Sequence, residues 1–195
     1  RRQRQMCKET DAKSGYGGSG IGGGTIGIGN VIIRGNAQIG NATGGEEGAG
    51  IGGGALGTGD VSIEGNVTIK NAQGGAGAAG IGGGAETEPD TEDTRNKVSI
   101  KSTEAGSPDI TATGGGASDG SLPGAAAIGS GSVADGATEV KSDITVEGKV
   151  TINATGGGDV AIGDSINGET QFSGLQVGTT ITRRNAKGDD ISKPG

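Results

Sequence analysis

The sequence predicts an all-β protein, a parallel β-solenoid (β-helix) of about five coils with three short strands per coil. Three observations carry that prediction. The segments "GSGIGGG", "GAGIGGG" and "AAGIGGG" place Ile21, Ile51 and Ile81 at a constant interval of 30 residues, with echoes at "AAAIGSG" (Ile128) and "VAIGDS" (Ile162). A fixed period shared by several copies marks a repeat architecture. Between the glycine runs, apolar residues alternate with polar ones, as in "VSIEGNVTI", where Val61, Ile63, Val67 and Ile69 are so separated. That is the period of a strand, not of a helix. Finally, 47 of 195 residues are glycine and only 1% are aromatic. Few apolar residues beside a net charge of −7 suggest disorder on composition alone. Ordered alternation argues otherwise, because stacked coils need only a thin core.

Each coil has three apolar stations. The first is the isoleucine of the glycine run; stacked at the spacing of neighbouring strands, Ile21, Ile51, Ile81, Ile128 and Ile162 form one interior ladder. The second is a Val-x-Ile pair, Val31 and Ile33 or Val61 and Ile63, and the third is Ala37 and Ile39 or Val67 and Ile69. Gly35-Asn36 and Gly65-Asn66 suit a tight corner, and "ATGG" or "AQGG" makes another. Later coils keep the stations in "KVSI", "DITATGGG" and "SDITVEGKVTINATGGG", while "AETEPDTEDTRN" and "STEAGSP" read as surface loops. The coils start near 18, 48, 78, 125 and 159, within a solenoid spanning 17–180. A basic arm (1–16) precedes it and a basic tail (181–195) follows. The fifth coil is degenerate, and Phe172, Leu175 and Val177 are expected to close the stack.

Composition also excludes functions. Without histidine there is no Ser-His-Asp or Cys-His nucleophile and no His-ligated zinc. Tyr16 and Phe172 are the only aromatics, too few for base stacking, and the acidic balance opposes nucleic acid. No apolar run is long enough to cross a bilayer, so membrane insertion is not expected. The start "RRQRQMCKET" has no initiator Met or signal peptide and reads as a piece of something longer. Cys7 is the single cysteine: an ordinary unpaired thiol, or an intermolecular link.

Taken together, "GAGIGGG", the alternating "VSIEGNVTI" and "ATGG" resemble, over about residues 17–160, the glycine-rich repeats of large adhesin-like surface proteins of anaerobic Gram-positive bacteria. Those chains are similar to right-handed β-helix domains. The resemblance implies an extracellular or cell-surface location within a larger surface protein. Some relatives of that type bind carbohydrate, which implies a polysaccharide as a partner.

Candidate sites follow from residue chemistry. Calcium needs several converging oxygens, and Asp60, Asn30 and Glu64 are the candidates at one corner; the alternative is ordinary turn chemistry. The acidic run Glu86, Glu88, Asp90, Glu92 and Asp93 either gathers cations or a basic partner, or simply solvates a loop. Paired carboxylates for glycoside hydrolysis are not concentrated on one face, and Asp189 and Asp190 fall in the tail, so an enzyme is not expected. Asn41, Asn66 and Asn153 satisfy the glycosylation sequon. Residues 1–15 carry a net +3 and residues 181–195 a net +2, leaving −12 for the body. Basic ends on an acidic rod suggest self-association, with Arg1, Arg2, Cys7, Phe172, Arg183 and Arg184 as candidate joints; flexible basic termini without a role are the alternative. An open, head-to-tail contact would build a fibre. The expectation is thus a non-enzymatic structural or adhesin-like solenoid without a required cofactor. The alternative is a polysaccharide-binding face including Thr68, Lys70, Thr151 and Asn153, with or without calcium. Ice binding by threonine rows is disfavoured by Gln38 at the matching position of the first coil.

Overall fold

The computed structural model describes residues 10–86, 95–118, 122–133, 140–164 and 174–192. Fifteen strands are present among them: β1 (Thr10–Lys13), β2 (Ile21–Gly22), β3 (Gly29–Gly35), β4 (Gln38–Thr43), β5 (Ile51–Gly52), β6 (Gly59–Gly65), β7 (Thr68–Gln73), β8 (Ile81–Gly82), β9 (Asn96–Lys101), β10 (Asp109–Thr113), β11 (Ile128–Gly129), β12 (Ser142–Glu147), β13 (Thr151–Thr155), β14 (Ile162–Gly163) and β15 (Thr180–Arg184). They form three parallel sheets whose strands stack in sequence order. Sheet A runs β1-β4-β7-β10-β13-β15, sheet B runs β2-β5-β8-β11-β14, and sheet C runs β3-β6-β9-β12. The chain is therefore an all-β parallel β-solenoid. Four turns hold a strand of each sheet; β1 adds a strand to sheet A at one end, and β14 and β15 extend sheets B and A at the other.

The two-residue strands of sheet B answer for the glycine runs. Ile21, Ile51, Ile81, Ile128 and Ile162 pair in register through the whole sheet. The next residue in each strand is a glycine with φ between 131° and 136°, a conformation that L side chains refuse. A Cβ on Gly52 would meet the carbonyl of Gly82, and one on Gly82 the carbonyl of Gly129. These carbonyls accept the axial bonds Gly23 N to Gly52 O (2.8 Å), Gly53 N to Gly82 O (2.9 Å) and Gly83 N to Gly129 O (3.0 Å). Glycine here lets adjacent coils sit at hydrogen-bonding distance around a buried isoleucine.

Sheet C fills its inward columns with Val31, Val61, Val98 and Ile144, and with Ile33, Ile63, Ile100 and Val146. Sheet A contributes Ile39, Ile69, Ile110, Ile152 and Ile181. All belong to one continuous cluster, with Ile144 and Ile181 at its ends only partly buried. Gly35 and Gly65 end β3 and β6 at φ 80° and 88°, the left-handed corner that precedes Asn36 and Asn66. The Asn66 amide donates to Asn36 Oδ1 at 3.1 Å, so the corner is itself a stacked ladder. Between β7 and β10 the register shifts, because Lys70 and Asn71 stand where β10 has Thr111 alone, a bulge of one residue.

The ends depart from the sequence reading. Thr10–Lys13, expected in the basic arm, pairs with β4 as a strand of the stack. Ile181–Arg184, expected in the tail, belongs to β15 and pairs with β13. The chain then turns at Asn185–Gly188 and returns antiparallel, with a bridge from Arg184 to Asp190 and Ile191 N donating to Arg183 O at 2.9 Å. Closure by Phe172, Leu175 and Val177 needs correction: Val177 is 101% exposed and Leu175 42%, while Phe172 lies outside the described residues. Ile181 and Ile191 pack on the core at this end, each partly buried. Arg183 takes the inward position that Ala154 holds one strand earlier. A charged residue turned inward at a sheet edge discourages a further strand.

Candidate functional site

The outward faces of the three sheets and the two ends of the stack are where this chain presents chemistry. On sheet C, parallel register lines Arg34, Glu64, Lys101 and Glu147 into one outward column of alternating sign. Lys101 Nζ lies 3.0 Å from Glu147 Oε2. A second column reads Asn30, Asp60, Lys97 and Asp143, and Arg95 reaches Asp143 at 3.3 Å. Between them runs a column of Ile32, Ser62, Ser99 and Thr145.

This placement corrects the calcium reading. Asn30 and Asp60 are neighbours across β3 and β6, but Glu64 sits four residues further along the same extended strand. At 3.3 Å per residue that is about 13 Å away. Each acid instead has a lysine beside it on β9, Lys97 next to Asp60 and Lys101 next to Glu64. Among the described residues no group of three or more His, Cys, Asp or Glu side chains could hold a metal ion.

On sheet A, Gln38, Thr68, Asp109, Thr151 and Thr180 form one outward column. Asn153 stands in the next column between Thr111 and Thr182. Thr68, Thr151 and Asn153 thus share one face, and Lys70 projects from the bulge beside them. At the β1 edge, Asn41 donates from both its backbone N (2.9 Å) and its Nδ2 (3.0 Å) to Asp11 Oδ1, so that sequon asparagine is tied into the ladder.

One corner gathers acid. Glu47 and Glu86 both adopt left-handed backbone (φ 64° and 56°), and Ala85 N donates to Glu47 O at 2.8 Å. Partial burial, then the charges of Glu86 and Glu46, raise the Glu47 carboxyl above its ordinary range. Glu88, Asp90, Glu92 and Asp93 lie outside the described residues, as do Arg1, Arg2 and Cys7.

The two ends differ. At the C-terminal end, Arg183 and Arg184 bind the returning chain. Arg183 N donates to Ser192 Oγ (2.7 Å), its guanidinium to Ser192 O (3.3 Å), and Arg184 Nη1 to Gly188 O (3.4 Å). They close that end upon itself, beside a shallow cavity of about 400 Å³ lined by Leu175, Gln176, Thr179, Ile181, Arg183 and Ser192. At the N-terminal end β2 and β3 are edge strands, and Tyr16, Ile26, Ile28 and Ile32 are strongly exposed. The alternating charge column and this apolar end were not read from the sequence. The signal existed: Arg34 and Glu64, like Ile32 and Ser62, are one 30-residue period apart. No protein-family model matches the chain, and neither a curated protein nor a solved structure shows significant similarity to it.

Proposed function

We propose that this chain is a non-enzymatic structural β-solenoid, an extracellular, adhesin-like rod that serves as a stalk within a larger surface protein or an assembly of its own copies. The observation that carries the reading is how its side chains are used. Inward columns hold Ile, Val and Ala, and the outward charges of sheet C alternate along columns that fix register instead of converging on a point. Opposite charges on adjacent strands favour one pairing over its slipped alternatives. The extracellular placement rests on the resemblance of the glycine repeats to those of surface proteins. Six strands in sheet A give a rod about 25 Å long at the usual strand spacing.

A second reading, a polysaccharide-binding module, is favoured by one observation. Thr68, Thr151 and Asn153 lie on a single outward face with Thr111 and Thr182 among them. The test is negative-stain electron microscopy and sedimentation over a concentration series, beside a glycan screen with and without calcium. The structural reading expects short rods, single or associated through their ends, and no defined glycan. A chain that stays monomeric while binding one polysaccharide would overturn it in favour of the second.

A further inference from the structure

The first coil is more apolar on its outer surface than the coil beneath it. Ile32 (65% exposed) stands outward where the second coil has Ser62, Ile28 (62%) is bared at the position where the second coil buries Thr58, and Ile26 stands where the second coil has Leu56, itself apolar. A repeat protein that ends in solvent needs terminal coils with a polar outer face; this end has the reverse. The unpaired edge of β3 lies within the same patch, among the described residues. At the opposite end Ile162 on the edge strand β14 is only 3% exposed and Arg183 turns inward, although Leu175 (42%) and Val177 (101%) are bared beside the returning chain.

We infer that two copies of this chain associate head to head, the free edge of β3 pairing antiparallel with β3 of a second copy about a two-fold axis at Ile32. Charge supports this occupant. The axis sets Val31 opposite Ile33, and Asn30 opposite Arg34, so no like charges meet. The same operation at the other edge, β12, would be centred on Thr145 and would set Asp143 opposite Glu147, two acids face to face, which is repulsive. Head-to-tail stacking aligns Arg34 with Glu147, but the layers forbid it. β15 projects one strand beyond β12, and β1 one strand beyond β3. Edges β12 and β3 would stay three strand spacings apart, about 14 Å. In the head-to-head arrangement the axis lays β1 of each copy over the β2 edge of the other, with the rods tilted by that one-strand difference. The contact is isologous and closes as a dimer.

This inference rests on the structural reading, and the experiment separates the two. In a Cys7→Ser background, Ile32→Cys and Thr145→Cys are oxidised and run without reductant. Directly opposed antiparallel residues lie about 4.5–5.5 Å apart at Cα, within the range a disulfide spans. Ile32→Cys is therefore expected to give a covalent dimer and Thr145→Cys a monomer. In sedimentation, Ile32→Lys raises the concentration for half-dimerisation at least tenfold, and Thr145→Lys leaves it within twofold. Circular dichroism checks that all variants keep the solenoid. Cross-linking at Thr145 and not Ile32, or filaments sensitive to both positions, would overturn the head-to-head contact. A monomer at all concentrations that binds no glycan overturns it while sparing the structural reading; a monomer that binds a defined polysaccharide removes both.

Discussion

Replacing Gly82 by alanine separates two roles that glycine plays in this fold. At Gly82, φ is 132° and the new Cβ would lie 2.9 Å from the Gly129 carbonyl carbon, with the oxygen closer still. Ordinary contact begins near 3.4 Å. The two coils must part by at least roughly half an ångström, more at the oxygen, which accepts Gly83 N at 3.0 Å. Losing that bond costs about 1 kcal/mol, and the backbone strain adds about 1–3 kcal/mol. Loosened contact between Ile81 and Ile128, both fully buried, brings the sum to about 3–5 kcal/mol. Gly35 is the control: its φ is 80° and nothing lies within 4 Å of its Cβ position. Gly35→Ala meets only left-handed strain, about 1–2 kcal/mol. For a chain of this size each kcal/mol moves Tm by about 2–4 °C. Thermal melts followed by circular dichroism should therefore place Gly82→Ala roughly 10 °C below the wild type and Gly35→Ala only a few degrees below. Melts within about 3 °C of one another would refute the idea that close axial approach, and not left-handed backbone alone, demands glycine in sheet B.

Three further predictions use the same assay. Ile81→Ala empties a fully buried position with isoleucine on both sides and should cost about 2–5 kcal/mol; Ile21→Ala, half-buried with a single ladder neighbour, should cost less than half as much. Ile26 is an exposed β-branched residue at φ 63°, so Ile26→Gly at low protein concentration should stabilise by about 0.5–1 kcal/mol, the relief of left-handed strain less the added freedom of the unfolded chain. The raised Glu47 carboxyl binds its proton more tightly folded than unfolded. Its contribution to stability therefore falls as pH rises from about the ordinary glutamate value through the raised one, and stays lower above it. Glu47→Gln should remove that decline, visible as a flatter Tm against pH above 4.5.

The middle of the stack was legible because the 30-residue period repeats the same physical demand. Wherever "IGGG" or "VxI" recurs, a buried isoleucine or a paired strand follows, and Ile128 and Ile162 join the ladder despite altered surroundings. The ends were obscure because alternation breaks down there. β15 reads Thr-Ile-Thr-Arg-Arg, and an arginine on the inward position hides a strand from any rule that looks for apolar residues. β1 is four residues long and offers only Ala12, opposite Ala42, as an apolar mark. The calcium grouping failed for a simpler reason. Asp60 and Glu64 are close in sequence, but an extended chain carries them apart by four residue rises. The outward columns are pairwise properties: Arg34 gains meaning only beside Glu64, and Lys101 only beside Glu147.

The axial hydrogen bonds of sheets A, B and C all point along the rod, as with Gly53 N to Gly82 O. A pull applied to the two ends therefore loads them one layer at a time, as a zipper is opened, and not all together in shear. Each layer that yields releases about 30 to 47 residues of chain, the larger number from Ile81 to Ile128, roughly 100–155 Å of extended polypeptide at about 3.3 Å per residue, where about 5 Å of rod stood before. Held taut, this protein would lengthen in discrete steps about twenty- to thirtyfold larger than the layer lost, and would dissipate energy at each one.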